Sequence, residues 1–389
     1  MPNIPKVIIL IENSRGFGRE LLRGIAKYCR LRQPWNFYRI PAFFLDPHAR
    51  LRQQELKRMK QWGATGIIMR EIENIEDIIA FNLPTIVSTY SKKEIQNVCS
   101  IKINNHAIGV MAAEHFLEIG FKNFAFCGLD DFFWSHERRE GFTERLSGEG
   151  YKAHIFEQSK KANQLWDAEQ ITLGNWLSAL PKPVGVMACV DERSQDIIET
   201  CKTVDIKIPE EVAVIGAEND ELICTLANPA LSSVAINGVR AGYQAAELLD
   251  ALMSGEKKMR QQAIIVEPTH IEVRQSTQTF GIADIEVAKA INFIKLHCRE
   301  LIQVSDVVNV TNYGRRGLEK KFQRLLRRSI HDEIRKARIE LIAKMLRETS
   351  KTISEIAESV GWLSVNNIAR YFKQEKGISL LEYRKKYGF

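Results

Sequence analysis

The sequence predicts a two-lobed α/β domain followed by an all-α domain with two helix-turn-helix units. Short apolar runs alternate with amphipathic helical runs over residues 6–274, a pattern typical of parallel sheets covered by helices on both faces. The ten strand candidates in this region are too many for one ordinary sheet, which favours two lobes. Helical periodicity alone continues from residue 285 to the C-terminus.

The strand candidates are short runs rich in β-branched, aromatic and other apolar residues. They span residues 6–12, 35–40, 66–69, 85–89, 99–103, 123–129, 153–157, 184–190, 212–217 and 231–236. Amphipathic helices are predicted between several of them, at 19–31, 107–120 and 238–253. Parallel α/β sheets bind ligands outside the carboxyl ends of their strands, so we expect a binding site at those ends.

A polar stretch, RQSTQTFGIAD at 274–284, separates the two patterns. We therefore predict a first domain over residues 1–276, a linker over 277–284 and a second domain over 285–389. The length of 389 residues agrees with two or three domains.

The basic excess of the chain is confined to the second domain. Residues 281–389 hold 22 Lys+Arg and 13 Asp+Glu, a net charge of +9. The rest of the chain holds 55 − 22 = 33 against 48 − 13 = 35, a net charge of −2. A basic terminal domain on a near-neutral body predicts a polyanionic partner, although solvated helix faces are the simpler alternative.

Several function classes are disfavoured by what the sequence lacks. No apolar run approaches the roughly 20 residues of a membrane-spanning helix, so no membrane partner is expected. The seven cysteines are scattered without a C-x-x-C or a His/Cys cluster, which predicts a reducing cytoplasm and no metal site.

An enzyme is disfavoured as well. The stretch GFGREL mimics a dinucleotide-binding G-x-G-x-x-G motif, but Leu21 replaces the third glycine and no acidic residue ends the second strand. No P-loop, G-x-S-x-G or H-E-x-x-H motif occurs, so we predict no catalytic residues and no cofactor.

The stretch TISEIAESVGWLSVNNIARYFKQEKG, residues 352–377, has the pattern of a helix-turn-helix. Gly361 suits the end of the first helix and Ser364 suits the cap of the second. The apolar residues of the first helix recur at helical spacing and predict one buried stripe; they are Ile353, Ile356, Ala357 and Val360. Ile368 and Phe372 continue that core. The outward residues are Val365, Asn366, Asn367, Arg370 and Lys373.

A second unit with the same plan lies about 50 residues earlier, at 304–328. Its apolar set is Val304, Val307, Val308, Leu318 and Phe322, and its outward set is Arg315, Arg316, Glu319, Lys320 and Arg324. An amphipathic helix between the units could place two recognition helices in successive major grooves, about 34 Å apart. The candidate DNA-binding residues are Arg315, Arg316, Lys320, Arg324, Ser364, Asn366, Asn367, Arg370 and Lys373.

The ending I-x-E-I-A-x-x-x-G-W…R-Y-F-K-x-x-x-G-I-S…E-Y-R-K resembles the DNA-binding domain of AraC/XylS-type transcription activators over about 285–387. Three departures concern Ile368, where an aromatic residue is usual, Leu380, where proline is usual, and Gly314, where serine is usual. Asn312 also replaces the usual glycine of the first turn, and asparagine tolerates a left-handed turn. The resemblance implies double-stranded operator DNA as a partner.

The body resembles the sugar-binding core of LacI/GalR-type repressors, a type I periplasmic-binding-protein fold. The stretches that carry this resemblance are AIGVMAAEHFLEIGFKNFAFCG, ERREGF, PEEVAVIGAEND and LSSVAINGVRAGYQAAELL. The order of the two domains is similar to that of the xylose-operon regulator family. The resemblance implies an effector in the cleft between the lobes, bound by Phe17, Arg19, Arg70, Ser88, Trp134, Arg138, Asp191, Glu218 and Asn219. Ordinary packing is the alternative for Phe17 and Trp134, and a surface charge is the alternative for Arg19.

These observations predict a cytoplasmic, sugar-responsive transcription regulator, an activator that forms a homodimer. The expected effector is a small sugar, a pentose in the first instance, and RNA polymerase is a possible partner. The alternative hypothesis is a DNA-binding regulator whose first domain recognises a non-sugar ligand or a protein partner. Sugar binding can act only through a difference in affinity between two states of the protein.

Overall fold

A computed structural model of the chain describes residues 4–39, 53–91, 95–96, 98–158, 166–256, 261–278, 284–360 and 365–388. The chain divides into two compact units. The first unit comprises Met1–His115 and Asn123–Gln278, and the second comprises Phe116–Lys122 and Thr279–Phe389.

The first unit holds two six-stranded sheets. Their strands are β1 Lys6–Leu10, β2 Asn36–Arg39, β3 Gly66–Arg70, β4 Thr85–Ser88, β5 Cys99–Ile103, β6 Asn123–Leu129, β7 Ala153–Gln158, β8 Val184–Ala188, β9 Val212–Glu218, β10 Ser232–Ile236, β11 Ala263–Val266 and β12 Pro268–Glu272. The order is β11-β5-β4-β3-β1-β2 in the first sheet and β12-β10-β9-β8-β6-β7 in the second. Every pair of neighbours is parallel except β10 and β12. The sheets with their helices form lobe 1 and lobe 2, respectively.

Helices connect the strands and cover the sheets. They are α1 Gly16–Leu31, α2 Gln53–Gln61, α3 Ile75–Ile79, α4 Asn105–Glu118, α5 Phe133–Ser147, α6 Trp166–Ala179, α7 Asp191–Thr203, α8 Glu221–Leu226 and α9 Gly238–Met253. Each lobe has its own apolar core between sheet and helices. α1 and α9 pack closely because Gly24 and Gly242 lack a Cβ, which would lie 2.0 Å and 2.1 Å from backbone oxygens of the facing helix.

The predicted α/β architecture with two lobes is confirmed. All ten predicted strands are present, with ends shifted by a few residues. β11 and β12 are strands that the sequence analysis missed. β11 has only four residues, and β12 begins with a proline and lies at a sheet edge, where proline is tolerated. Both are too short or too polar to show a clear strand pattern.

The second unit is all-α in its C-terminal part. Its helices are α10 Ile285–Leu296, α11 Val304–Asn309, α12 Arg315–Leu326, α13 Ile330–Glu348, α14 Ile353–Ser359, α15 Val365–Lys376 and α16 Leu380–Tyr387. Reciprocal capping boxes define where α13, α14 and α16 begin, at Ser329, Thr352 and Ser379, because each cap satisfies backbone N–H groups of the first turn.

This helical part has two separate apolar cores, and α13 contributes residues to both. Ile330 and Ile334 pack with α10, α11 and α12, whereas Ile339 and Ile342 pack with α14, α15 and α16. With 19 residues, α13 is about 28 Å long. A single rigid helix therefore joins the two predicted helix-turn-helix units, α11–α12 and α14–α15.

The boundary between the units lies within the predicted linker. Ser276 is buried, and its hydroxyl donates to the carbonyl of Val214 at 2.6 Å. Thr277 is also buried and donates to Ser232 at 2.7 Å. Residue 277 thus packs within the first unit, residues 279–283 lie outside the described residues, and Asp284 already caps α10. In the part of the chain that the structure describes, no helix has the length and apolar character needed to cross a membrane.

Candidate functional site

A cavity of about 430 Å³ lies in the first unit, at the carboxyl ends of strands from both lobes. Lobe 1 contributes residues that end or follow β1, β3, β4 and β5, and lobe 2 contributes residues that follow β6 and β8 and the residue that ends β9. Six of the nine predicted effector-binding residues line this cavity. They are Phe17, Arg70, Ser88, Trp134, Arg138 and Glu218.

Arg138 is the most deeply buried charged residue of the cavity, with 1% of its surface exposed. Its guanidinium donates to Asn105 at 3.0 Å, to the carbonyl of Cys189 at 2.6 Å and to Glu218 at 2.8 Å. Trp134 lies over the same guanidinium, 5.0 Å from its carbon to the ring centroid. These contacts fix the orientation of Arg138 and hold the Glu218 carboxylate at the wall of the cavity.

Asp191 does not line the cavity but anchors the turn that presents Glu218. It is fully buried at the start of α7 and accepts hydrogen bonds from the Ser233 hydroxyl at 2.6 Å and the Asp220 backbone N–H at 2.7 Å. Burial raises the pKa of Asp191 to about 8, although both hydrogen bonds lower it. Gly216 is required beside it, because a Cβ there would lie 2.2 Å from the Asp191 carboxylate.

Glu218 and Asn219 both have a positive φ, 91° and 54°, which is uncommon for residues other than glycine. The Asn219 backbone N–H donates to Ser233 at 3.0 Å. Asn219 itself does not line the cavity. Such backbone strain is found where the surrounding structure holds a functional side chain in place, here the Glu218 carboxylate.

Arg19, the third predicted residue outside the cavity, joins the two lobes. Its guanidinium on α1 donates to both carboxylate oxygens of Asp220 at 2.5 and 2.6 Å, and also to the carbonyls of Asn13 and Ser14. Asp220 follows β9 in lobe 2 and caps α8. The bidentate ion pair therefore connects lobe 1 with lobe 2 next to the cavity.

Arg70 forms an ion pair with Glu12, a residue that the sequence analysis did not select. The ring of Tyr90 lies 5.0 Å from the guanidinium carbon of Arg70. The loop after β4 that carries Tyr90 is held by buried Glu71, whose carboxylate accepts from the backbone N–H groups of Tyr90 and Ser91 at 3.0 and 3.1 Å.

The cavity also contains polar and aromatic residues that the sequence analysis missed. They include Glu12, Arg15, Tyr90, Ser91, Lys102, Asn105, Phe133 and Glu137. Their positions at or just after the ends of β1, β4 and β5 and at the start of α5 were a usable signal, because binding sites gather at strand ends. The sequence could not show which of these side chains turn into the cavity, since that depends on how the two lobes pair.

Glu20 is a half-buried carboxyl group next to this region. It accepts from the Gly238 backbone N–H, in the first turn of α9, at 2.9 Å. Burial raises the pKa of Glu20 to about 7, and the nearby carboxylates Glu218 and Asp220 add to the effect. Two acidic groups near the end of β9, Glu20 and Asp191, are therefore expected to change protonation near neutral pH.

In the first helix-turn-helix unit, the predicted DNA-binding residues form an exposed cationic surface on α12. Leu318 and Phe322 are fully buried, while the four predicted residues are exposed; these are Arg315, Arg316, Lys320 and Arg324. None of the four has an ion pair or side-chain hydrogen bond with another described residue. Glu319, expected to face outward, is half-buried, and its carboxylate accepts from the backbone N–H of Ile330 at 3.4 Å.

In the second unit, α15 buries Ile368 and Phe372 and exposes Asn367, Arg370 and Lys373. The guanidinium of Arg370 lies 4.8 Å from the ring centroid of Tyr371. The predicted residue Ser364 lies outside the described residues, and so does the side chain of Asn366. The exposed faces of α12 and α15 have the position and chemistry of recognition helices.

Comparisons with known proteins agree with both halves of this description. A model of a periplasmic binding protein-like domain matches residues 113–277, and a model of a helix-turn-helix domain matches residues 307–386. The chain is a DNA-binding transcription regulator that joins a periplasmic-binding-protein-like domain to a C-terminal AraC-type helix-turn-helix domain.

Within that class, the chain is similar to the xylose operon regulatory proteins along nearly its whole length. It is 29% identical to the protein of Escherichia coli (strain K12), over 97% of this chain and 96% of the relative. The Haemophilus influenzae protein is also 29% identical, over 97% and 98%. The solved structure of the xylose-binding transcription activator XylR matches with a TM-score of 0.62 and 27% identity, over 100% of both chains. The prediction that the chain is a regulator and not an enzyme is thus confirmed.

A LacI family transcriptional regulator from Enterococcus faecium with bound ribose shares the fold of the first unit. Its TM-score is 0.56 at 20% identity, over 70% of this chain and 98% of that one. The two-lobed fold extends beyond the xylose operon relatives to regulators of low sequence identity.

Proposed function

We propose that the cavity of the first unit binds a small sugar and that this binding controls how the second unit engages operator DNA. The observation that carries the proposal is the chemistry of the cavity wall. The aromatic residues Phe17, Phe133 and Trp134 line the same cavity as the carboxylates of Glu12 and Glu218. Rings can cover the C–H face of a sugar, while charged groups bond its hydroxyls, which are costly to bury unpaired.

Two arrangements of the lobes would provide the two states that such control requires. The effector would contact lobe 1 through residues such as Arg70 and lobe 2 through Arg138 and Glu218. It would therefore favour the arrangement of the lobes in which it contacts both at once. The relatives named for xylose make a pentose the first sugar to test. The alternative of a non-sugar ligand or a protein partner predicts that no sugar stabilises the chain.

The proposal is tested by thermal-shift and calorimetric titration of the full chain with pentoses and hexoses. Glu218→Gln removes a charged acceptor, and hydrogen bonds to charged groups contribute about 1.5–3 kcal/mol. We expect this variant to lose roughly tenfold to a hundredfold in sugar affinity while it binds DNA normally in the absence of sugar.

Glu221→Gln is the matched control, because Glu221 undergoes the same change three residues away and is exposed. If Glu218→Gln binds sugar with unchanged affinity, Glu218 has a structural role and does not bind the sugar. A chain that binds no sugar at all would contradict the proposal and favour the alternative.

We also propose that α12 and α15 enter successive major grooves on one face of operator DNA. The exposed cations of α12 suit phosphates and guanine, and the Asn367 amide on α15 suits adenine. Ser364 and Asn366 remain predicted contacts of the second recognition helix. DNase I footprinting should show two protected segments about one helical turn apart.

The remaining expectations concern assembly and location. We propose that the protein is a cytoplasmic homodimer that activates transcription, with RNA polymerase as its partner at the promoter. Support comes from its class, since regulators that bind DNA are commonly two-fold symmetric and bind paired half-sites. Light scattering of the full chain and in vitro transcription with and without sugar test both points.

A further inference from the structure

We propose that the effector is an acidic sugar, one that carries a carboxylate or a phosphate, and that Arg15 binds this acidic group. The inference deepens the proposed function and rests on it, because it assumes that a sugar occupies the cavity. It concerns the charge of the effector, which neither the fold nor the resemblance specifies.

The first observation is an imbalance of charge on the cavity wall. Among the described residues, four cationic side chains line the cavity against three carboxylates, which leaves a surplus of one positive charge. The cations are Arg15, Arg70, Lys102 and Arg138, and the carboxylates are Glu12, Glu137 and Glu218.

The second observation is how these charges are paired. Arg70 is bonded to Glu12, and Arg138 is bonded to Glu218 at 2.8 Å. The third carboxylate, Glu137, accepts from the neutral amide of Asn105 at 3.0 Å. Arg15 and Lys102 form no ion pair and no side-chain hydrogen bond with any other described residue. These two cations are the ones available to a ligand.

The third observation is the orientation of the helices around the cavity. α1, α4 and α5 all begin at its wall, through Phe17, Asn105 and Phe133. None of the three has an acidic residue in its first turn. The partial positive charge at these helix starts adds to the field of Arg15 and Lys102, although the Asp220 carboxylate lies against Gly16 and offsets part of this charge at the start of α1.

Arg15 is the better placed of the two free cations. It is half-buried and immediately precedes α1, whereas Lys102 is exposed. Its guanidinium can bond a carboxylate or a phosphate through two parallel N–H groups, and the first turn of α1 lies beside it. β1 and β5 are separated in the sheet by β3 and β4, so Lys102 lies farther along the wall and contributes mainly to the general field.

A neutral sugar would leave Arg15 and Lys102 without an ion pair or side-chain hydrogen bond among the described residues, although Arg15 also interacts electrostatically with the Glu192 carboxylate. Ligand binding displaces water from Arg15, and a neutral hydroxyl compensates a charged guanidinium less well than an anion does. An acidic sugar satisfies the guanidinium and still presents hydroxyls to Glu218 and a ring face to Trp134.

The test titrates the full chain with matched sugars that differ only in the acidic group. The pairs are galactose and galacturonate, glucose and glucuronate, and glucose and glucose 6-phosphate, which all keep the pyranose ring; the first two probe a carboxylate and the third a phosphate. We expect an acidic member of one pair to bind at least tenfold tighter than its neutral partner, with a preference that weakens as salt is added.

Arg15→Gln should lower the affinity for the acidic sugar by at least tenfold and the affinity for its neutral partner by less, so that the preference between the two is lost. Arg30→Gln, an exposed arginine near the other end of α1, is the matched control and should change neither. Arg15→Lys keeps the positive charge but loses the planar guanidinium that donates two parallel hydrogen bonds, so it should retain part of the preference. Circular dichroism verifies the fold of each variant.

The outcomes separate this inference from the proposed function. If neutral sugars bind as tightly as every acidic partner, the acidic-effector inference is wrong although the chain senses sugar. An acid preference that persists in Arg15→Gln would overturn the assignment to Arg15. If no member of any pair binds, the proposed function itself fails.

Discussion

Arg138 in the first unit and Arg324 in the second carry the same charge in opposite surroundings. Arg138 is 1% exposed and bonded to three protein groups, whereas Arg324 on α12 is exposed and has no ion pair within the described chain. The same contrast holds for their neighbours. Charged groups around the cavity are mostly buried or paired, while those of the predicted DNA-binding surface are exposed.

The difference indicates two ways of using charge. Around the cavity, the buried charged groups such as Arg138 depend on their exact partners, because an unpaired buried charge costs several kcal/mol. On α12, the cations act through a field that reaches any polyanion, and each contributes little to the fold. Substitutions around the cavity should therefore change stability and effector binding together, whereas those on α12 should change DNA binding alone.

The largest effect is expected for Arg138→Met. The variant leaves the Glu218 carboxylate and the Cys189 carbonyl without their donor, and breaking a buried pair costs about 3–5 kcal/mol. Chemical denaturation of the full chain measures this loss. Tryptophan fluorescence is a suitable probe, because Trp362 is the one tryptophan outside the first unit.

Arg324→Met is the matched comparison and should change the free energy of unfolding by no more than about 0.5 kcal/mol. Arg138→Met should also abolish sugar binding, which Arg324→Met should leave intact. Equal losses of stability in the two variants would remove the contrast between the two surroundings.

A second expected effect is a dependence of stability on pH that arises from Glu20. Its pKa is raised from 4.5 to about 7 by burial, so the folded state holds this proton more tightly than the unfolded state does. The stabilising contribution is then complete below pH 4.5 and is lost as pH rises toward 7, on the order of 2–3 kcal/mol. Denaturation at pH 5, 6, 7 and 8 measures the slope.

Glu20→Gln cannot lose a proton, so its stability should fall less over this interval. Asp191, whose pKa burial raises to about 8, should still cause a residual fall that ends near pH 8. An unchanged slope in Glu20→Gln would show that the carboxyl group titrates normally in the folded protein.

The two regions also differ in how far the sequence predicts them. The exposed residues of α12 and α15 follow from helical periodicity, because a residue not on the apolar stripe must face outward. Asn367, Arg370 and Lys373 are therefore found where the pattern places them. Glu319 is the exception, since its bond to the Ile330 backbone arises from the turn between α12 and α13.

Around the cavity, the sequence predicts the strand ends but not the direction of each side chain. Asp191 and Glu218 both lie at such ends, yet Asp191 turns inward to hold Ser233 and Asp220, and only Glu218 reaches the cavity. The ion pair of Arg19 with Asp220 spans 201 positions of the chain, and local patterns carry no information about it. Tertiary pairing decides these cases.

A smaller effect is expected for base recognition by α15. The Asn367 side chain is exposed near the start of the helix, and an amide there can bond adenine through two hydrogen bonds that contribute about 1–3 kcal/mol of discrimination. Asn367→Ala should relax the preference at one operator position in selection from a randomised site library.

Gln374→Ala removes the same kind of group two turns later on α15, also at an exposed position, and should leave the preference unchanged. If Asn367→Ala instead weakens binding to all sequences alike, Asn367 contacts the DNA backbone and not a base.

The smallest effect is expected for a single cation of α12, Lys320, and it should appear in the salt dependence of DNA binding. Lys320 is exposed and has no ion pair with another described residue, so its removal costs the fold little. If it neutralises one phosphate, Lys320→Ala should lower affinity for all DNA sequences alike, by less than about 1 kcal/mol at moderate salt. It should also reduce the slope of log affinity against log salt by about 0.9.

Lys289→Ala is the control. Lys289 on α10 is paired with Glu286 at 2.7 Å, so this variant should leave the slope unchanged. A lower affinity with an unaltered slope would mean that Lys320 bonds a base or an uncharged group. α12 would then depend on specific partners in the way the cavity does, and the contrast between the two regions would not extend to this residue.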